Sequence, residues 1–136
     1  MLDTNALLLP IRSHFPLEAE VDRLYPGAEL AVPSSAFEEL ERLRARGISG
    51  APAALKLALR YPAVPVEGRG DAAILAIAVR DRALVVTADR ALAGRLQRAG
   101  LPVLVPRDRS RLELRPARRP SRAPAVRKPV QRRQRL

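Results

Sequence analysis

The sequence predicts an α/β domain with a central parallel sheet, followed by a basic tail, and three observations predict it. Through residues 1–114, short β-branched or aliphatic runs alternate with patterns of helical period, the signature of parallel strands joined by helical crossovers. Hydrophobic residues make up 47% of the chain, enough for one core, yet no apolar run approaches the roughly 20 residues of a bilayer span. The charge is also divided: residues 1–114 hold 16 Lys/Arg against 14 Asp/Glu, whereas residues 115–136 hold 9 Lys/Arg and no acid.

The elements follow in order. A short apolar strand opens the chain and ends at Asp3. A helix ending near Leu24 follows, within which residues 14–26 are too weakly patterned to place further. Residues 29–33 read as the second strand and 36–46 as the next helix, with Ser35 as its N-cap, Glu38 as the capping-box partner three residues on, and Gly47 just past its end. A helix over 51–60, a strand over 63–66, a helix over 72–82, a strand over 84–87, a helix over 90–98 and a strand over 103–105 continue the alternation. A last short strand is expected in 111–114.

Composition excludes several chemistries. With no cysteine there are no disulfides, no Cys-zinc sites and no thiol nucleophile, and the single histidine, His14, argues against His-rich metal sites and a Ser-His-Asp triad. No G-x-x-x-x-G-K-[ST] loop is present, and Gly68-Arg69-Gly70 lacks the third glycine of a dinucleotide fingerprint. Phe15, Tyr25, Phe37 and Tyr61 are not interleaved with basic residues, which argues against a base-stacking platform. The start Met1-Leu2-Asp3 lacks a basic segment followed by an apolar core, so the expected location is cytoplasmic.

The tail, residues 115–136, contains four prolines and only Ala, Val and Leu as apolar residues, too little to offset its ordering entropy, and is expected to be disordered when free. Its cations, Arg115, Arg118, Arg119, Arg122, Arg127, Lys128, Arg132, Arg133 and Arg135, read as a counterion-releasing arm for RNA. A partner-binding segment that folds on contact is the second reading. Coding bias toward arginine is the third, but bias would not exclude every acid from 22 consecutive positions. Membrane attachment would need an apolar anchor or lipidation site that the tail lacks.

The acids carry the chemistry. Asp3 ends the first strand, Glu39 lies in the first helical turn after the second, Asp71 opens the helix after the third, and Asp89 follows the fourth. In a parallel sheet these positions share the carboxyl edge, where α/β proteins place their sites. Taken singly, each acid is explained by capping or by the helix dipole. Helical spacing weighs against that: with Leu75 as reference, Ile74, Ala78 and Val79 define a buried arc that contains Asp71, and Asp89 lines up with Leu92, Ala93 and Leu96. In the helix over 36–46, Glu38 points away from the apolar face, while Glu39 and Glu41 sit on opposite flanks and spacing does not choose between them. Clustered carboxylates with no basic partner either hold protons or hold hard cations, and an all-oxygen set suits Mg²⁺ or Mn²⁺. Two such ions support in-line hydrolysis of a phosphodiester.

The sequence Asp3-Thr4-Asn5-Ala6-Leu7-Leu8, then Pro33-Ser34-Ser35 with Glu39-Leu40, then Asp71 with Ile74 and Ala78, then Val85-Val86-Thr87-Ala88-Asp89 with Leu92, resembles the successive motifs of PIN-domain ribonucleases. The resemblance covers about residues 1–114, and its specificity lies in four separated motifs in the right order. It is nearest to archaeal PIN proteins related to VapC toxins and to ribosomal-RNA-processing nucleases. It implies a three-layer α/β/α fold, Mg²⁺- or Mn²⁺-dependent endoribonuclease activity, and metal ligation by Asp3, Glu39, Asp71 and Asp89, which favours Glu39 over Glu41. Asn5 and Thr87 match polar positions that support the acids by hydrogen bonding. The resemblance also suggests a homodimer, as does the apolar surplus on helices 51–60 and 90–98, and either an antitoxin-like protein or a ribosomal RNA precursor as partner. The alternative is an RNA-binding or scaffolding PIN module with little catalysis; the complete acid set argues for catalysis.

Overall fold

The computed structural model describes residues 1–118. Met1–Asp3 is extended and lies between two pieces of sheet. The Leu2 N–H donates to Ala31 O at 2.9 Å on one side; on the other, Leu2 bridges Val86 in parallel and the Val86 N–H donates to Met1 O at 2.8 Å. Strand β1 (Val32–Pro33) pairs in parallel with β2 (Ala63–Val64), and β3 (Val85–Val86) pairs in parallel with β4 (Val103–Pro106). The order across the sheet is therefore β2, β1, the N-terminal segment, β3, β4 and β5 (Leu112–Arg115).

Among the described residues six helices cover this sheet: α1 (Thr4–Ser13), α2 (Leu17–Leu24), α3 (Ser34–Ala45), α4 (Ala51–Ala58), α5 (Gly70–Asp81) and α6 (Arg90–Arg98). Alternation along the strands divides the core in two. Leu2, Val32, Val86, Leu104 and Leu112 face one side and pack with residues of α1, α2, α3 and α4. Val85, Val103 and Val105 face the other and pack with Ile74 and Ala78 of α5 and with Leu92 and Leu96 of α6. The result is the three-layer α/β arrangement expected from the sequence.

Three local expectations change. The single helix expected before Leu24 is two: His14 adopts a left-handed conformation (φ 54°) and Pro16 bars the helix from continuing, so α2 starts afresh at Leu17. The capping box at Ser35 and Glu38 does not form. Pro33 occupies the N-cap, Ser34 accepts the Val66 N–H at 3.0 Å, and Ser35 lies buried inside the first turn. Gly47 (φ 73°) does end that helix. On α5 the buried face is Ala73, Ile74, Ile77 and Ala78, and Val79, expected inside, is 46% exposed. The last strand is antiparallel to β4, because residues 107–111 form a hairpin too short for a crossover.

β5 continues through Arg115, one residue past the expected domain end, and the chain beyond it docks on α6. Gln97 Nε2 donates to Pro116 O and the Arg118 N–H to Gln97 O, both at 3.0 Å. The expected disordered tail otherwise lies outside the described residues.

Candidate active site

The parallel segments deliver their acids to one edge, as the topology requires. Asp3 follows Leu2 directly and caps α1: its Oδ1 accepts the Ala6 N–H at 2.8 Å. Its Oδ2 accepts the hydroxyl of Thr87, which immediately follows β3. Thr87 is fully buried, and its Oγ1 also accepts the Asp89 N–H at 3.0 Å. Asp89 in turn caps α6, one oxygen accepting the Ala91 and Leu92 N–H groups at 2.9 and 3.1 Å. Asp71 is the second residue of α5 and is partly buried. Glu39, on the exposed side of α3, receives the Thr4 hydroxyl on Oε1 at 2.6 Å.

These four acids, with Asn5, line a single cleft of about 350 Å³. Asn5 is exposed at its edge, and among the described residues its side chain makes no hydrogen bond to an acid. Glu41 lies outside the cleft and is paired with Arg44 at 2.6 Å.

The electrostatics follow from burial and crowding. Asp3 is 7% exposed, and among the described residues no cation pairs with it. Burial pushes its pKa up to about 6 against the pull of the Thr87 and Ala6 hydrogen bonds, and the charges of Asp89 and Asp71 push it the same way. Asp71 is also raised, first by burial and then by Asp89, with Arg95 opposing and Glu39 adding to the rise. Asp3 thus feels the charges of Asp71 and Asp89, and Asp71 feels those of Asp89 and Glu39.

Among the described residues no three acids or histidines form a ready-made cation cage. The donor set nonetheless fits Mg²⁺ or Mn²⁺, because it is all oxygen and its most buried member, Asp3, is directly ion-paired to no cation among the described residues. Mg²⁺ keeps several of its waters and needs only one or two direct carboxylates, which suits acids spread around a cleft rather than packed together.

Of the cations expected to bind RNA, the two that are described do not line the cleft. Arg115 sits in β5 opposite Val103, at the sheet edge away from the acids, and is paired with Glu113 at 3.1 Å. Arg118 is exposed beside α6. Arg119, Arg122, Arg127, Lys128, Arg132, Arg133 and Arg135 lie outside the described residues.

Sequence reasoning missed other residues lining the cleft: Thr4, Ser35, Arg42 and Arg69. Arg42 was legible in principle, since it follows Glu39 by three positions and so shares its helix face. Arg69 precedes Asp71 by two positions in a loop that the sequence offers only as an incomplete glycine motif.

No curated protein matches the chain. The profile of one protein family, described as PIN like domain, matches residues 1–109, a span that contains all four acids of the cleft. The fold is thus of the nuclease type, and the chain belongs to the PIN-like domain family.

Proposed function

We propose that this protein is a divalent-metal-dependent endoribonuclease whose Mg²⁺ or Mn²⁺ would be held by Asp3, Glu39, Asp71 and Asp89. The observation that carries this reading is the meeting of four carboxylates, from four separate segments, in one cleft at the carboxyl edge of the sheet. When bound there, a metal ion would supply an activated water and charge stabilisation at the leaving oxygen of the phosphodiester. The protein's own part is to hold the acids in place. Thr87 and Ala6 fix both oxygens of Asp3, the first turn of α6 fixes one oxygen of Asp89, and Thr4 fixes one oxygen of Glu39. Three of the four acids are thereby oriented before substrate arrives, and Asp71 is placed by its position in the first turn of α5.

The reading includes a cytoplasmic homodimer and, as partner, an RNA such as a ribosomal RNA precursor or an antitoxin-like protein. Among the described residues no helix is long and apolar enough to cross a membrane.

Purified protein incubated with single-stranded RNA and either ion should release fragments with 5′-phosphate and 3′-hydroxyl ends, and a chelator should stop the reaction. Calcium should substitute poorly. Asp3→Asn and Asp71→Asn should each cost roughly 2–4 kcal/mol of transition-state stabilisation, because a ligand charge is lost. Full activity in Asp71→Asn would refute the assignment. RNA binding without cleavage under any ion would establish an RNA-binding module instead.

A further inference from the structure

Three Glu-x-x-Arg pairs lie on helices of this protein, and two of them are closed. Glu20 holds Arg23 at 2.8 Å and Glu41 holds Arg44 at 2.6 Å. The third, Glu39 with Arg42, has the same spacing and lines the acid cleft, but the two do not pair. The Thr4 hydroxyl occupies the Glu39 oxygen instead, at 2.6 Å.

Arg69 is the second cation lining the cleft, and among the described residues it too is ion-paired to no carboxylate. It precedes Asp71 by two positions, between Gly68 (φ 84°) and Gly70 (φ 72°), whose left-handed backbones bring the chain round into α5. Two arginines in an acid-lined cleft would be expected to fold onto the carboxylates if neutralising them were their task. They do not.

A third group points to a ligand. The Ser35 side chain is only 6% exposed, lines the same cleft, and has no hydrogen-bond partner among the described residues. A buried hydroxyl left without a partner costs free energy, and a ligand oxygen in the cleft would satisfy it.

We propose that Arg42, Arg69 and Ser35 form a backbone-phosphate subsite that seats the RNA phosphate next to the scissile bond. The ligand is a phosphodiester oxygen: two guanidinium groups supply charge and forked donors, and the serine supplies a neutral donor. The subsite contacts no base, so it adds affinity and register without sequence preference. This inference rests on the nuclease reading only for the identity of the neighbouring bond.

The test uses the full chain in every case and a short single-stranded oligouridylate. Binding is measured in chelator across a salt series, and cleavage kinetics are measured separately with Mn²⁺. Arg42→Ala and Arg69→Ala should each weaken binding roughly five- to tenfold and flatten the slope of log affinity against log salt by about 0.7 per lost phosphate contact. KM should rise by a similar factor with kcat retained. Arg42→Lys and Arg69→Lys should restore the slope, which follows charge, but only part of the affinity, which follows the fork. Ser35→Ala should weaken binding about threefold without altering the salt slope and without lowering the melting temperature, since no hydrogen bond within the protein is lost. Unchanged affinity and slope in both alanine variants would overturn the subsite, even if the protein cleaves RNA. A fall in kcat with KM unchanged would also overturn it, in favour of a role in the chemical step. A protein that cuts nothing, yet loses slope with each arginine, would retain the subsite and lose the nuclease.

Discussion

Thr87 donates its hydroxyl to Asp3 across 84 positions of sequence, and through the same oxygen it receives the backbone N–H of Asp89. One buried hydroxyl thus sets the relative placement of two acids. Thr87→Val keeps the shape and removes both bonds, leaving a buried carboxylate short of a donor. It should destabilise the protein by about 1–3 kcal/mol and reduce kcat, read by denaturant unfolding and by cleavage rate. Thr87→Ser should restore most of both. Unaltered stability in the valine variant would mean that the bond contributes nothing in solution.

Glu20 ties the last strand to α2. It accepts the Leu112 N–H at 2.8 Å and two bonds from Arg23, whose guanidinium also reaches Leu112 O at 3.0 Å. Arg23 first, then the Leu112 N–H, hold its pKa down at about 2, below the ordinary 4.5. Because the folded value is depressed, this contribution to stability is present above about pH 4.5 and is lost as pH falls through about 2. Melting temperature should therefore drop over that interval in the parent protein. In Glu20→Gln it should start lower at neutral pH and drop less. Parallel curves for the two proteins would show that Glu20 is not the responsible group.

The basic arm leaves the domain far from the acids. Since β5 runs antiparallel to β4, its end at Arg115 lies beside Val103, at the start of the parallel strands. An arm function predicts added affinity, with the cleavage position set by the cleft. Deletion of residues 119–136, which spares the docking of Pro116 and Arg118 on Gln97, should leave the melting temperature unchanged. It should flatten the salt dependence of RNA binding by about 0.7 per lost contact and preserve the cleavage pattern. An unchanged salt slope would assign the arm to a protein partner.

A homodimer should be visible by light scattering at micromolar concentration. Leu59, 70% exposed just after α4, is the most exposed large apolar side chain among the described residues and the best candidate for burial between copies. Leu59→Glu should shift the protein toward monomer without lowering the stability of the isolated fold. A parent protein that runs as a monomer would remove the dimer from the proposal.

How much of this was legible depended on the range of the forces involved. Asp3, Asp71 and Asp89 could be read because each follows or opens an element whose period is written in its neighbours, and a parallel sheet then assigns them one edge. Glu39 against Glu41 could not be settled from spacing alone. What distinguishes them is Thr4, 35 positions away, which holds Glu39, and Arg44, which holds Glu41. Ser35 was misread as a cap because Pro33 and Ser34 begin the helix earlier, and Ser34 is engaged by Val66 on a separate strand connection. The direction of β5 was set by the shortness of the 107–111 hairpin, a cue present in the sequence but masked by the regular alternation before it.

The central place of the N-terminal segment has a consequence for synthesis on the ribosome. Leu2 has no sheet neighbour on its β3 side until Val86 has been made, and Asp3 has no hydroxyl donor until Thr87 has. A nascent chain that has emerged as far as α5 already carries three of the four acids, yet its first residues have nothing on that side to bind to. The cleft is therefore incomplete until β3 is available to pair with residues made more than 80 positions earlier. Under the proposed activity, a chain cut short before residue 86 would lack both Thr87 and Asp89 and should not cleave RNA.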